Sequence, residues 1–126
     1  MRMTKCLTYG QVTRLALEGL EIRIMKGCHP KGFYGQFWSW LDEIRIYPKK
    51  EHELRNDKGR FVERTELENT LIHELVHAKY YYLYDDMKLC NDEKLACDET
   101  DRTMERYPNL YCYILQIFEL LQDKTV

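Results

Sequence analysis

The first half of the chain alternates apolar with polar residues and so predicts three short strands. Residues 20–24 place Leu or Ile at every second position, which is the period of a strand with one buried face. The aromatic-rich segment 33–40 predicts a second strand. Residues 43–47 alternate again before Pro48 ends the pattern, and they predict a third.

Two capping-box patterns predict where helices begin. Thr8 and Gln11 have the spacing of a capping box and predict a short N-terminal helix. Thr65 and Glu68 repeat that spacing and predict a second helix from about residue 66 into the low eighties. Apolar residues recur along this second helix at intervals of three and four, giving it an apolar back: Leu67, Leu71, Leu75, Ala78 and Tyr82.

Two further helices complete the predicted architecture. A third helix is expected from about residue 92 to Tyr107, where Pro108 ends it, and a last helix over 109–122. The charged stretch 49–60 and the Gly- and Pro-containing stretch 26–32 are expected to be loops. The sequence therefore predicts an α+β fold in one domain, 1–126. Its small three-stranded sheet follows an N-terminal helix and precedes three helices: the one from about residue 66, the one from about residue 92 and a C-terminal helix.

Composition narrows the classes of partner. The formal net charge of −2 offers no basic field for nucleic acid. No stretch approaches the roughly 20 apolar residues that span a bilayer, so no membrane partner is expected. The N-terminus lacks the continuous apolar region of a secretory signal. Five irregularly spaced cysteines argue against a disulfide framework and favour a reducing, cytoplasmic location.

His73, Glu74 and His77 form an HExxH pattern within the second predicted helix. Residues four apart on a helix differ by about 40° around the axis and about 6 Å along it, so both imidazoles can reach one metal ion. Glu74 lies beside them and can act as general base toward a water that the metal holds. The pattern predicts a zinc site with His73 and His77 as ligands and Glu74 as the catalytic residue.

A third ligand is needed, because catalytic zinc usually has three protein ligands and one open position. No histidine follows His77, so an acidic residue of the next helix must serve. At about 100° per residue, Glu93 falls at the centre of the apolar face of that helix, and a buried carboxylate needs a partner. Glu93 is therefore the preferred ligand and Glu99 the alternative. They are chosen from the five acidic residues in this part of the predicted helix: Asp92, Glu93, Asp98, Glu99 and Asp101.

HExxH followed by Glu93 and Ala96 on the next helix resembles the gluzincin metallopeptidases, and the size and element order resemble the single-domain minigluzincins. The resemblance covers roughly residues 8–107. It implies that His73, His77 and Glu93 bind zinc and that Glu74 is the general base. The chain departs from the family at Cys97, where many members carry an Asp, and in its shorter gap between the HExxH pattern and the ligand Glu.

The resemblance also implies how a substrate binds. An outer strand of the sheet, either 33–40 or 43–47, would pair with the substrate backbone, and a Tyr or His would stabilise the oxyanion. The expected function is a zinc-dependent peptidase acting on a peptide or protein substrate. The alternative is a non-catalytic or latent zinc-bound protein-interaction module, and Glu74 favours the peptidase because a structural site has no use for a base.

Overall fold

The computed structural model describes residues 5–25, 34–47, 64–118 and 121–122. Both predicted loops, 26–32 and 49–60, lie outside these residues. The described part is α+β, as predicted, with an N-terminal helix, a small mixed sheet and then helices. Its elements are α1 (Tyr9–Leu17), β1 (Glu21–Ile24), β2 (Gly35–Trp38), a 3-10 turn (Ser39–Leu41), β3 (Glu43–Ile46), α2 (Arg64–Tyr82), α3 (Met87–Cys90), α4 (Glu93–Arg106), α5 (Leu110–Phe118) and β4 (Leu121–Gln122).

The described strands form one sheet in the order β2-β3-β1-β4. β1 runs parallel to β3 with Ile22 opposite Ile44, and β2 runs antiparallel to β3 with Phe37 opposite Ile44. The predicted outer strand was either 33–40 or 43–47. The first, β2, is the outer strand, and the second, β3, is internal. All three predicted strands are confirmed, with 39–41 turning into the 3-10 segment.

The end of the predicted last helix is wrong. α5 ends at Phe118, and Leu121 pairs instead with Arg23 of β1 in parallel register. This two-residue strand follows a helix whose apolar period continues past its end in the sequence. The apolar spacing would allow the helix to continue, but residues 121–122 pair with β1 instead. The edge of β1 presents backbone N–H and C=O groups that need hydrogen-bond partners.

Helix α1 begins as its capping box predicts. The Thr8 side chain accepts a hydrogen bond from the Gln11 amide, and the Gln11 side chain accepts one from the Thr8 amide. The predicted box at Thr65 is wrong, because α2 already includes Arg64 and Thr65. Among the described helices, none combines the length and apolarity that a membrane crossing requires.

Helix α2 is the centre of the core. It packs against α4, α3, β2, α1 and β3, and residues on several of its sides are buried: Leu71, Ile72, Leu75, Val76, Ala78 and Tyr80. A helix surrounded in this way holds its side chains in fixed positions, because packing restricts their rotamers. The HExxH residues therefore project from the most constrained element of the described fold.

Candidate metal centre

The two histidines of α2 meet as their spacing predicts. Nε2 of His73 lies 3.1 Å from Nε2 of His77, and the rings meet edge to face with centroids 4.8 Å apart. His77 is buried and the His73 side chain is 17 % exposed. One turn of a packed helix thus turns two imidazole nitrogens toward the same point.

Glu93 completes this pair from the first residue of α4. Asp92 caps this helix, since its side chain accepts a hydrogen bond from the Leu95 amide, and Glu93 follows as the first helical residue. Oε1 of Glu93 lies 2.9 Å from Nε2 of His73, and Oε2 lies 3.1 Å from Nε2 of His77. Asp92 is accordingly used as a cap, and Glu93 is the acidic residue that the fold brings to the histidines.

The three side chains could hold a metal ion. One ligand atom from each of His73, His77 and Glu93 lies within 4.8 Å of the others. Around a tetrahedral ion with bonds of about 2.0–2.1 Å, ligand atoms stand about 3.3 Å apart, close to the contacts seen here. Two imidazoles and a carboxylate suit borderline divalent metals.

Comparison of the chain with protein-family models, curated proteins and solved structures found no match.

Hydrogen bonding prepares His77 as a ligand. Its Nδ1 lies 2.5 Å from the backbone carbonyl oxygen of Cys90, at the end of α3. Because a carbonyl oxygen can only accept, Nδ1 donates to it, and a neutral ring then has its lone pair on Nε2, which faces Nε2 of His73. A second partner of this kind fixes both ring orientation and tautomer at metal sites.

His73 has a weaker partner. Its Nδ1 lies 4.0 Å from Sγ of Cys97 on α4. Burial, followed by the nearby Glu93 carboxylate, raises the pKa of the Cys97 thiol. Burial and the neighbouring His77 together lower the pKa of His73, against the opposing effect of Glu93. His73 is thus held neutral, which is the form that binds a metal.

Glu74 lines the cavity beside this group from a desolvated position. It is 8 % exposed, and burial, reinforced by the charge of Glu93, raises its pKa to about 8. Its carboxylate lies against Gly35 of β2, where an added Cβ would stand 3.3 Å from Oε2 of Glu74 and 2.6 Å from Cγ2 of Thr70. Gly35 therefore lets the outer strand approach the helix closely enough to lie beside the carboxylate.

A cavity of about 500 Å³ lies over the centre. It is lined by β2 and the 3-10 turn on one side and by α2, α3 and α4 on the other. Glu74, His77 and Glu93 all line it, together with Gly35, Gln36, Phe37, Trp38, Ser39, Trp40, Cys90 and Asn91. No tyrosine is found among these lining residues. Within this set, the polar side chains besides the centre are Gln36, Ser39 and Asn91.

The structure does not bring the alternative ligand, Glu99, to the two histidines. Its side chain is 0 % exposed, and its carboxylate accepts hydrogen bonds from Lys79, at 2.5 Å, and from the Tyr80 hydroxyl. Lys79 is itself 2 % exposed and also donates to the Cys6 carbonyl oxygen at 3.3 Å. Glu99 is thus half of a buried ion pair that joins α4 to α2 behind the centre.

The prediction that Glu93 lies at the middle of the buried face is also wrong. The buried residues of α4 are Ala96, Glu99, Thr100 and Thr103, and the Glu93 side chain is 74 % exposed. At about 100° per residue, that face is centred roughly 70° away from Glu93. Glu93 reaches the histidines because it begins the helix at the rim of the cavity. The structure therefore brings Glu93 to the histidines for a reason other than the one that predicted it.

Two features of the cavity were not predicted. Gly35 could have been recognised, since glycine inside a strand often marks a close backbone approach. The aromatic pair Trp38 and Trp40 could not, because its arrangement depends on the 3-10 turn between β2 and β3. Within the described residues, the indole N–H of Trp38 is the one buried side-chain polar group without a hydrogen-bond partner.

Proposed function

We propose that this chain is a zinc-dependent peptidase that hydrolyses peptide bonds. The observation that carries the proposal is a carboxylate, Glu74, facing the same cavity as a His73–His77–Glu93 group. A purely structural metal site usually closes all four positions with protein ligands and has no use for such a carboxylate. Three converging ligands beside an open cavity match the catalytic arrangement instead.

Zinc is the proposed metal because its catalytic sites use sets of two histidines and one carboxylate. When bound, zinc would polarise the scissile carbonyl and make the attacking water more acidic. As ligands, two uncharged imidazoles and one carboxylate would supply one negative charge to the ion. The hydrogen bond from His77 to the Cys90 carbonyl oxygen keeps the ring turned toward it.

Glu74 is proposed to move the protons. The positive charge of a zinc ion held by His73, His77 and Glu93 would favour the ionised form of Glu74. This effect would oppose the burial that raises the pKa of Glu74. The carboxylate accepts a proton from the attacking water and then donates it to the nitrogen of the leaving amine. Because Glu74 is desolvated and fixed against Gly35, it needs little reorganisation between these two steps.

The substrate is proposed to lie along β2. No strand within the described residues pairs with the outer edge of β2, and this strand lines the cavity from Gly35 to Trp38. An extended peptide can add to such an edge through main-chain hydrogen bonds. That position carries its backbone past Glu74 and the metal ligands.

The test is Glu74→Gln in zinc-loaded protein, with metal content and peptide cleavage measured on the same preparation. We expect zinc content to stay unchanged and cleavage to fall about 10²–10⁴-fold, the usual contribution of a general base. Glu105→Gln, at an exposed position of α4, is the matched control and should cleave as the wild type does. Equal cleavage by wild type and Glu74→Gln, or a wild type that binds zinc and cleaves nothing, would reject the proposal.

A further inference from the structure

Two tryptophans form a stacked pair at one end of the cavity. Trp38 ends β2 and Trp40 lies in the 3-10 turn that follows, with ring centroids 5.7 Å apart and planes inclined by 13°. Trp40 is 75 % exposed. An indole presented to solvent in this way leaves a large apolar surface uncovered beside a site that contains charged groups.

The pair is held in place from beneath. The guanidinium carbon of Arg45 stands 4.6 Å from the centroid of the Trp38 ring, a cation–π contact. Arg45 is in turn fixed by Glu43, whose carboxylate also binds Arg23 of the neighbouring strand. Trp38 is thus a fixed base for the stack, and Trp40 presents the outer aromatic surface.

Strand geometry determines which substrate side chains would meet this pair. Phe37 contacts Tyr81 and Tyr82 of α2, so it lies on the helix side of the sheet. Its neighbour Trp38, opposite Glu43 in the register, lies on the other side. A peptide added to the edge of β2 would likewise alternate, with one set of side chains toward α2 and the other toward the two indoles.

We infer that Trp38 and Trp40 form an aromatic subsite that binds one aromatic or large apolar side chain of a peptide extended along β2. This inference rests on the proposed peptidase function. Stacked indoles bind flat apolar groups through their faces. The Glu93 carboxylate lines the same cavity, which disfavours a polyanion such as a nucleic acid there.

The test measures binding separately from cleavage. Zinc-loaded Glu74→Gln protein is titrated with labelled short peptides of alanine, serine and glycine in which one phenylalanine is moved through the positions. We expect one position, or positions two residues apart, to bind about three- to tenfold more tightly with phenylalanine than with alanine. Adding Trp40→Ala should abolish this preference, and adding Trp40→Phe should retain most of it.

The matched control is Leu17→Ala in the same background, because Leu17 is an 82 % exposed apolar residue of α1 that does not line the cavity. It should leave the preference unchanged. Equal affinity for phenylalanine and alanine at every position, or a preference that survives Trp40→Ala, would overturn the subsite. Cleavage of the same peptides by protein with Glu74 intact is scored separately. If phenylalanine is preferred in binding but no peptide is cleaved, the peptidase function is rejected and the subsite is kept. If peptides are cleaved but phenylalanine is not preferred, the subsite is rejected and the peptidase function is kept.

Discussion

Replacement of Glu99 by alanine tests the buried contact between α4 and α2, the helices that carry Glu93 and the two histidines. The carboxylate of Glu99 accepts hydrogen bonds from Lys79 and Tyr80, and both it and Lys79 are almost fully enclosed. Glu99→Ala removes the only negative partner that the described residues show for the Lys79 ammonium group. It also leaves the Tyr80 hydroxyl without its acceptor.

The expected loss of stability is large. Breaking a buried ion pair by removing one partner costs about 3–5 kcal/mol, and an unsatisfied buried hydroxyl costs about 1–3 kcal/mol more if it stays unpaired. Relaxation lets water reach part of this region, so we take about 4 kcal/mol as the expected decrease in the free energy of unfolding. For a chain of 126 residues, that corresponds to a melting temperature lower by roughly 10–20 °C.

Thermal melts with zinc and with a chelator are the assay. Glu99→Ala should lower the melting temperature by similar amounts in both conditions, because Glu99 is not a ligand. Glu93→Ala should melt near the wild type in chelator but lose most of the stabilisation that zinc provides, since only binding to the folded state raises stability. The double variant Lys79→Met/Glu99→Leu should recover much of the loss, because apolar replacement of a whole buried pair is often neutral.

Two results would refute this reasoning. A Glu99→Ala protein that melts with the wild type would mean that the ion pair is not internal. A Glu99→Ala protein that keeps its zinc-free melting temperature but no longer responds to zinc would make Glu99 a ligand. The second result would also require α4 to be rotated from the orientation described above.

Two further variants test the approach of β2 and the charges of the sheet. Gly35→Ala should lower cleavage while zinc content stays unchanged, because the added Cβ would meet Cγ2 of Thr70 at 2.6 Å. Adding Thr70→Ser removes that methyl group and should restore cleavage. A Gly35→Ala protein that cleaves as the wild type does would contradict the close approach of β2 to α2. Burial alone would raise the pKa of Glu43, but hydrogen bonds from Arg45 and Arg23 outweigh burial and lower this pKa. The stability that Glu43 contributes is therefore present above its unfolded pKa of about 4.3. It is lost as the pH falls through the lower pKa of the folded state. Denaturant unfolding of Glu43→Gln should therefore show a deficit of roughly 1 kcal/mol at neutral pH that narrows in acid, and a deficit independent of pH would contradict this account.

Local patterns predicted the elements well where one interaction dominates. The Thr8–Gln11 box, the alternation in β1 and β3 and the spacing of the two histidines each depend on residues close together in sequence. These patterns set backbone conformation and the direction of side chains without reference to the rest of the chain. The histidine pair was predictable for that reason, since it lies within a single helical turn.

Interactions between distant elements decided what the patterns missed. Centring the apolar face of α4 on Glu93 puts Glu99 about 120° away from that centre, on the solvated side. Lys79 on α2 supplies the charge that makes its burial possible, and nothing in α4 alone indicates that partner. In the same way, the apolar period of α5 runs on to Leu121, and only pairing with β1 converts that residue to a strand.

Anomalous diffraction at the zinc edge, on crystals of zinc-loaded protein, tests the central claim most directly. The account predicts one strong peak per chain about 2.0–2.1 Å from Nε2 of His73, Nε2 of His77 and a carboxylate oxygen of Glu93. Glu74 should lie near the peak without coordinating it. A peak at other residues, a ligand set without Glu93, or zinc coordinated by Glu74 itself would contradict the account.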